Sequence, residues 1–372
     1  MIAHMEELSW AQIGERVRDS RASAGMSQQE LAARVGAAAG VKLDRTMISK
    51  LERGDRRVDA LELTHIASEL DFPLTHFISP TPEVVSRRSA LADQSEVDES
   101  RAARDTYRTE AQLSQWLRDV RQLLDLGLLA PRPLMRAARP VADAAAARAT
   151  AQWLRGELGL GAAEAIESVA DVCESAGQFV AVVPLPGDGA SLVAGEVAVA
   201  VVGRDRDPGR RRSTAAHELG HMVLGDEYST DLGVHASREE RERLIEVFAA
   251  EFLLPGEALH PVGDEPTEDH RRQALIRVSA TYRVSWGLAV AQLKRHADVG
   301  PEEIRRLRTR VPTDVDFRDA LGWKPQPDLD RIRVPSGFAG AVVAAEREGR
   351  ITPARAVQMM RDQVTLADFD EG

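Results

Sequence analysis

His217-Glu218-Leu219-Gly220-His221 is the stretch on which the reading of this chain turns. On a helix at roughly 100° per residue, positions four apart lie about 40° apart, so both imidazoles can reach one Zn²⁺. Glu218, beside the first ring, is placed to take a proton from a water molecule, and the pentapeptide therefore reads as a hydrolytic zinc site of the peptidase kind. Chance alone would put such a pentapeptide in roughly 2% of chains with this His and Glu content, so its neighbourhood has to decide. Upstream, Arg210 to Arg212 are expected to end a polar loop, with Ser213 or Thr214 as cap. A helix is then expected from Thr214 to Leu224, stopped by Gly225.

A catalytic zinc site needs a third protein ligand and one open position. Arg238 to Pro255 reads as the next helix, and with Glu242 set at zero, Ile245, Phe248, Ala249, Phe252 and Leu253 form one apolar arc that reaches it. A carboxylate in line with a core-facing stripe is costly unless paired or metal-bound, which makes Glu242 the candidate third ligand. Glu246, at the edge of the arc, is the alternative ligand or a hydrogen-bond partner of a ligating histidine. Glu251 points the opposite way. The competing reading leaves both Glu242 and Glu246 as exposed flank residues.

The 372 residues suffice for two or three domains, and 43% hydrophobic with 4% aromatic content is ordinary globular composition. No apolar run is long enough to cross a membrane. Met1 to Trp10 carries Glu6 and Glu7 where a secretory signal would carry basic residues, and the single Cys173 cannot form an intrachain disulfide; a cytoplasmic location is expected. The net charge of -11 argues against generic coating of nucleic acid but leaves room for a local basic surface.

Residues 10–80 have such a surface. Ile13 and Val17, flanked by Arg16, Arg18 and Arg21, make an amphipathic first helix; Ser27-Gln28-Gln29-Glu30 is a capping box, and Leu31, Ala32 and Val35 face inward. A Gly/Ala-rich connection, Gly36 to Leu43, leads to Asp44 as cap of a helix from Arg45 to Arg53, closed by Gly54. With Ile48 and Leu51 buried, Arg45 and Thr46 are placed to reach base edges, and Ser49, Lys50 and Arg53 to touch the DNA backbone together with Gln28. SQQELA at 27–32, ISKLERG at 48–54 and LELTHIASELDFPLTHFI at 61–78 resemble the Xre/Cro-type helix-turn-helix repressors, although the connection before the third helix is longer than that family's tight turn. The competing reading is a small helical bundle for protein contact.

Between 79 and 99 the chain is rich in Pro, Ser, Asp and Glu, as in a hinge. Leu113, Trp116, Leu117, Val120, Leu123 and Leu124 then give a helical stripe, suited either to docking on the next domain or to a homodimer. Beyond Asp143 come an Ala-rich helix to Leu158, a shorter one through Ile166 to Ala176, and two strand-like runs, Phe179 to Val183 and Val193 to Val202. An edge strand beside an open zinc site can align an extended peptide by backbone pairing.

WLRGELGL at 153–160, RRSTAAHELGHMVLG at 211–225, EVFAAEFLLP at 246–255 and TYRVSWGLAVAQLKRH at 281–296 resemble the ImmA/IrrE family of metallopeptidases. That resemblance implies His217, His221 and Glu242 as ligands of Zn²⁺ and Glu218 as general base, while the donor types themselves leave Mn²⁺ open as an alternative metal. It also implies cleavage of a repressor protein as the activity. The chain departs from the family at Glu246, where many members carry Asn. Tyr282 and His296 are expected to pack, and a helical pair joined at Gly349, with Thr352 capping before Pro353, is expected near the end.

The expected fold is α+β and mostly helical. It comprises an all-α helix-turn-helix domain at 10–80, a linker and connecting helix at 81–138, a zincin-like metallopeptidase domain with a small sheet at 139–300, and a helical region at 301–372. The expected function is a regulator that binds a double-stranded DNA operator and cleaves a partner transcription regulator, with no membrane association. The alternative is a non-proteolytic regulator whose metal domain is a sensor or structural module.

Overall fold

The computed structural model describes residues 9–70, 72, 74–78, 86–88, 99–206, 208–225, 235–323, 325, 328–330, 333–361 and 363–369. Most of the expected hinge at 79–99 lies outside the described residues. The chain divides into two compact units, one built on the first five helices together with the chain up to Gln115 and residues 185–187, and the other on the sheet and the rest of the chain from Trp116 onward.

The first unit comprises Trp10–Ser23 (α1), Gln28–Ala39 (α2), Arg45–Glu52 (α3), Ala60–Leu70 (α4) and Leu74–Ile78 (α5). Its helices begin where the side chains can satisfy free N–H groups: Ser27 and Glu30 close a full capping box on α2, and the Asp44 carboxylate accepts from the Met47 N–H. Helix α2 overruns its expected end at Gly36, because Ala37 to Ala39 favour helix, and stops at Gly40 in the left-handed region (φ 66°). Ile13, Val17, Leu31, Val35, Ile48, Leu51, Ile66 and Phe77 form the core. Helices α1 and α3 cross at Gly14, where a Cβ would lie 2.2 Å from the Leu51 carbonyl oxygen. Buried Glu52 ties three helices together, accepting from the Arg21 guanidinium through both oxygens and from the Gln28 amide at 2.7 Å.

The second unit carries a four-stranded sheet in the order β1-β3-β4-β2, from Ser86–Arg88 (β1), Gln178–Val183 (β2), Gly189–Ala194 (β3) and Val197–Gly203 (β4). Strands β3 and β4 are antiparallel neighbours and β2 runs parallel to β4. The single strand expected at Val193 to Val202 is therefore two. Gly195 (φ 68°) and Glu196 turn the chain back on itself, and apolar residues on both sides of this two-residue turn hide it from a composition reading. The hinge region also contributes a strand, since β1 pairs with β3.

Glu99–Asp125 (α6), Ala144–Glu157 (α7), Val169–Ser175 (α8), Pro208–Leu224 (α9) and His235–Leu253 (α10) follow, with α9 between the sheet and α10, and α7 against the far side of α10. Within the second unit the stripe of α6 is buried at Trp116, Leu117, Val120 and Leu123, and the Trp116 indole N–H donates to the Phe179 carbonyl at 2.8 Å. Helix α9 begins six residues before its expected start. Ser213 is no cap, its hydroxyl donating back to the Gly209 carbonyl at 3.1 Å. Arg212, expected in a loop, is fully buried in the first turns of α9 and donates to the Asp328 carboxylate and the Ile166 carbonyl. Such a buried cation is tolerated only because its partners are in place.

The remaining elements are His260–Gly263 (α11), Glu268–Thr281 (α12), Trp286–His296 (α13), Pro301–Thr309 (α14), Asp314–Leu321 (α15), Ser336–Arg347 (α16) and Pro353–Met359 (α17), with Thr352 capping α17 as expected. They belong to the second unit and close around it. The Arg333 carbonyl accepts from Val182 N–H at the outer edge of β2, and Asp119 of α6 accepts from Arg355 and Arg361, both at 2.6 Å. Tyr282 packs as expected, its hydroxyl donating to the Ala163 carbonyl.

Candidate metal centre

Helix α9 presents the two imidazoles of the pentapeptide one turn apart, with ring centroids 4.9 Å from each other and both rings buried. Helix α10 approaches closely enough to join them because residue 220 is glycine: a Cβ there would lie 2.9 Å from Ile245 Cγ2 and 3.1 Å from Phe248 Cδ1. Glu242 Oε2 lies 3.2 Å from His217 Nε2 and 3.8 Å from His221 Nε2, and the two imidazole Nε2 atoms are 3.2 Å apart. Among the described residues, these three form the group whose ligand atoms gather within 4.8 Å of one another. Glu246, one turn on, is exposed and outside it.

The donor set fits a small divalent cation. Tetrahedral Zn²⁺ with bonds of about 2.0–2.1 Å has ligand–ligand edges of roughly 3.3–3.4 Å, close to the spacings between these atoms. Two nitrogens and a carboxylate oxygen also suit zinc's borderline character, and three ligands leave one coordination position for water. His217 Nδ1 is buried with no hydrogen-bond partner among the described residues.

Glu218 faces the sheet rather than α10. It is fully buried, its Oε2 accepting from the Ser191 hydroxyl of β3 at 2.7 Å while Oε1 has no hydrogen-bond partner among the described residues. Room for this carboxylate comes from Gly189, where a Cβ would meet Thr214 Cγ2 at 2.4 Å and Glu218 Oε1 at 3.4 Å. Buried Gln178, at the start of β2, donates to the Glu218 main-chain carbonyl at 3.0 Å. The carboxylate thus has one oxygen anchored and the other available to receive a proton.

Sequence reasoning did not find Ser191, Gly189 or Gln178. A signal existed for Ser191, a lone hydroxyl on the inward side of an otherwise apolar strand. Nor did it find the second buried acid of α10. Glu251 does point away from Glu242, as expected, but into the protein. It accepts from the Gln152 amide at 3.0 Å, the Gly256 N–H at 3.2 Å and the Gln292 amide at 3.3 Å, and lies 3.0 Å from His296 Nε2. Both faces of α10 are therefore held, which leaves Glu242 little freedom to shift along the helix axis.

In the first unit, α3 exposes Arg45, Thr46, Lys50 and Arg53, with Ser49 half-buried, while Ile48 and Leu51 are inside. Arg53 donates to Ser49 Oγ at 2.7 Å and to Asp55 at 2.8 Å. The Gln28 amide is committed to Glu52.

The fold and these two constellations define a two-domain chain, with a helix-turn-helix unit followed by a metallopeptidase-like unit. Comparison with known families agrees. Residues 17–77 match the helix-turn-helix family model, and residues 195–294, which contain both histidines, Glu218 and Glu242, match the family model of the IrrE N-terminal-like domain. Searches of the curated proteins and of the solved structures returned no match. None of the described helices is long and apolar enough to cross a membrane.

Proposed function

We propose that this DNA-binding regulator is also a zinc-dependent endopeptidase that cleaves a partner transcription regulator. The observation that carries the reading is Glu218, a buried carboxylate with one oxygen fixed by Ser191 and the other without a partner, adjacent in sequence to the first histidine of the candidate metal trio. A purely structural metal site has no use for such a group, which argues against the non-proteolytic alternative.

Held by His217, His221 and Glu242, Zn²⁺, or Mn²⁺ in its place, supplies Lewis acidity toward the scissile carbonyl and lowers the pKa of water to about 7 in the zinc case. Glu218 Oε1 takes the proton of the attacking water and later delivers it to the leaving amine, so the carboxylate ends the cycle as it began. An extended substrate pairs by its backbone with the outer edge of β3, which places its peptide groups along the strand that holds Glu218. The helix-turn-helix unit reads DNA through Arg45 and Thr46, with Ser49, Lys50 and Arg53 on phosphates and Gln28 supporting through Glu52. The fully buried Cys173, whose thiol burial keeps protonated, accords with a cytoplasmic location.

The test is incubation of the zinc-loaded chain with regulators encoded beside its gene. One discrete cut is expected, lost in Glu218→Gln while about one zinc per chain is retained. Undiminished cleavage by that variant removes Glu218 from the mechanism. Binding to upstream DNA should weaken with rising salt, and Lys50→Ala should reduce the salt slope by about one.

A further inference from the structure

The outer edge of β3 is not bare in this structure. Strand β1, from the segment that joins the two domains, pairs with it antiparallel in the register Ser86 to Ser191, Arg87 to Ala190 and Arg88 to Gly189. We propose that β1 is a tethered competitor, a stretch of the protein's own linker occupying the strand position that an extended substrate must take. The inference rests on the proteolytic reading for its consequence but not for its test.

Two features of the pairing support it. The first is place: Ser191 donates to Glu218 Oε2 at 2.7 Å, and Gly189 lies where any side chain would approach Glu218 Oε1. Two of the three residues that β1 covers are thus ones that shape the surroundings of Glu218. A peptide strand cannot pair there while β1 does, because each N–H and C=O on that side of β3 serves one neighbour.

The second is extent. Strand β4 pairs with all six residues of β3, whereas β1 takes only three, and Ala194 at the far end instead accepts from Arg121 at 3.1 Å. Three residues of backbone pairing are too few for a permanent lock. They suffice for a reversible one, since a short tether holds the segment at an effective concentration in the millimolar range. An edge covered for about four-fifths of the time, the occupancy assumed for the test, lowers the apparent affinity for an incoming strand about fivefold.

The test uses the full chain with zinc bound and Glu218→Gln introduced, so that nothing is cut. A fluorescent peptide copying residues 82–92 is titrated against this protein, against the same protein with Arg87→Pro, and against it with Arg87→Ala. Proline removes a backbone donor and disfavours the strand, whereas alanine leaves backbone pairing intact. The peptide should bind the proline form about fivefold more tightly than the other two. Amide exchange at residues 189–191 should be faster in the proline form and slow again when the peptide is added. Equal affinity in all three forms, a gain shared by the alanine form, or unchanged exchange at 189–191 overturns the proposal. Because binding is read with the base removed, a chain that cleaves nothing sinks the peptidase reading without touching this result.

Discussion

Replacing Glu242 by alanine should loosen zinc far more than replacing Glu246, although both acids lie on α10 one turn apart. Glu242 Oε2 sits 3.2 Å and 3.8 Å from the two imidazole nitrogens, the spacing expected of atoms bound to one ion, whereas Glu246 is exposed and outside the group. Loss of a group that merely orients a ligand typically weakens a metal site 10- to 100-fold, so loss of a direct ligand should exceed the upper figure, or about 2.7 kcal/mol. The Glu242 side chain is 37% exposed, which lets water replace it and keeps the effect near that bound rather than far above it. Glu246→Ala should stay within about tenfold of the parent. Competition with a chromophoric chelator measures both, and thermal unfolding in excess zinc should report the same difference through linkage. If Glu246→Ala proves the weaker binder, or Glu242→Ala binds like the parent, the assignment of the third ligand is wrong and the arrangement of the two helices described above does not describe the holoprotein.

Glu251→Ala leaves the Gln152 and Gln292 amides and the Gly256 N–H without their buried acceptor, and should cost about 3–5 kcal/mol, seen as a fall in the unfolding temperature of the second unit of more than about 6 °C. A change below 2 °C would show that the cluster is not what holds the far face of α10. In the first unit, burial, helped by nearby Arg16, pushes the His76 ring down to about 4. The folded value lies below the unfolded one of about 6.5, so stability present above pH 6.5 is lost as the pH falls toward 4. The full shift corresponds to about 3 kcal/mol, less whatever solvent screening of a partly exposed ring removes. Intrinsic amide exchange itself slows as the pH falls, so the quantity to follow is the protection factor: in α1 it should drop between pH 6.5 and 4, and His76→Gln should flatten that drop; an identical pH response in the two forms would refute it.

What could be read from the residues alone was whatever lies within a helical turn or two along the chain. The His pair and Glu218 are fixed by four-residue spacing, while the phase of the next helix relative to Phe248 and Phe252 favoured Glu242 and left Glu246 as the alternative. The capping boxes at Ser27 and the caps at Asp44 and Thr352 are equally local, and each is present. The reading failed where a neighbour remote in sequence changed the outcome. Arg212 looked like a loop residue because Asp328, the acid that makes its burial tolerable, is 116 positions away. The strand at 193–202 looked continuous because the turn at Gly195 separates two equally apolar runs.

Sequence by itself therefore determined the metallopeptidase-like character of one domain and the order of the two, since both depend on residue type and on periodicities of 3.6 that hold wherever a helix forms. Tertiary structure alone decided which glutamate meets the histidines, that Ser191 anchors Glu218, and that a piece of the linker lies along β3. Those are distances between segments, and no local propensity encodes them: Gly220 and Gly189 permit the close approaches, but only the packed core brings the partners there.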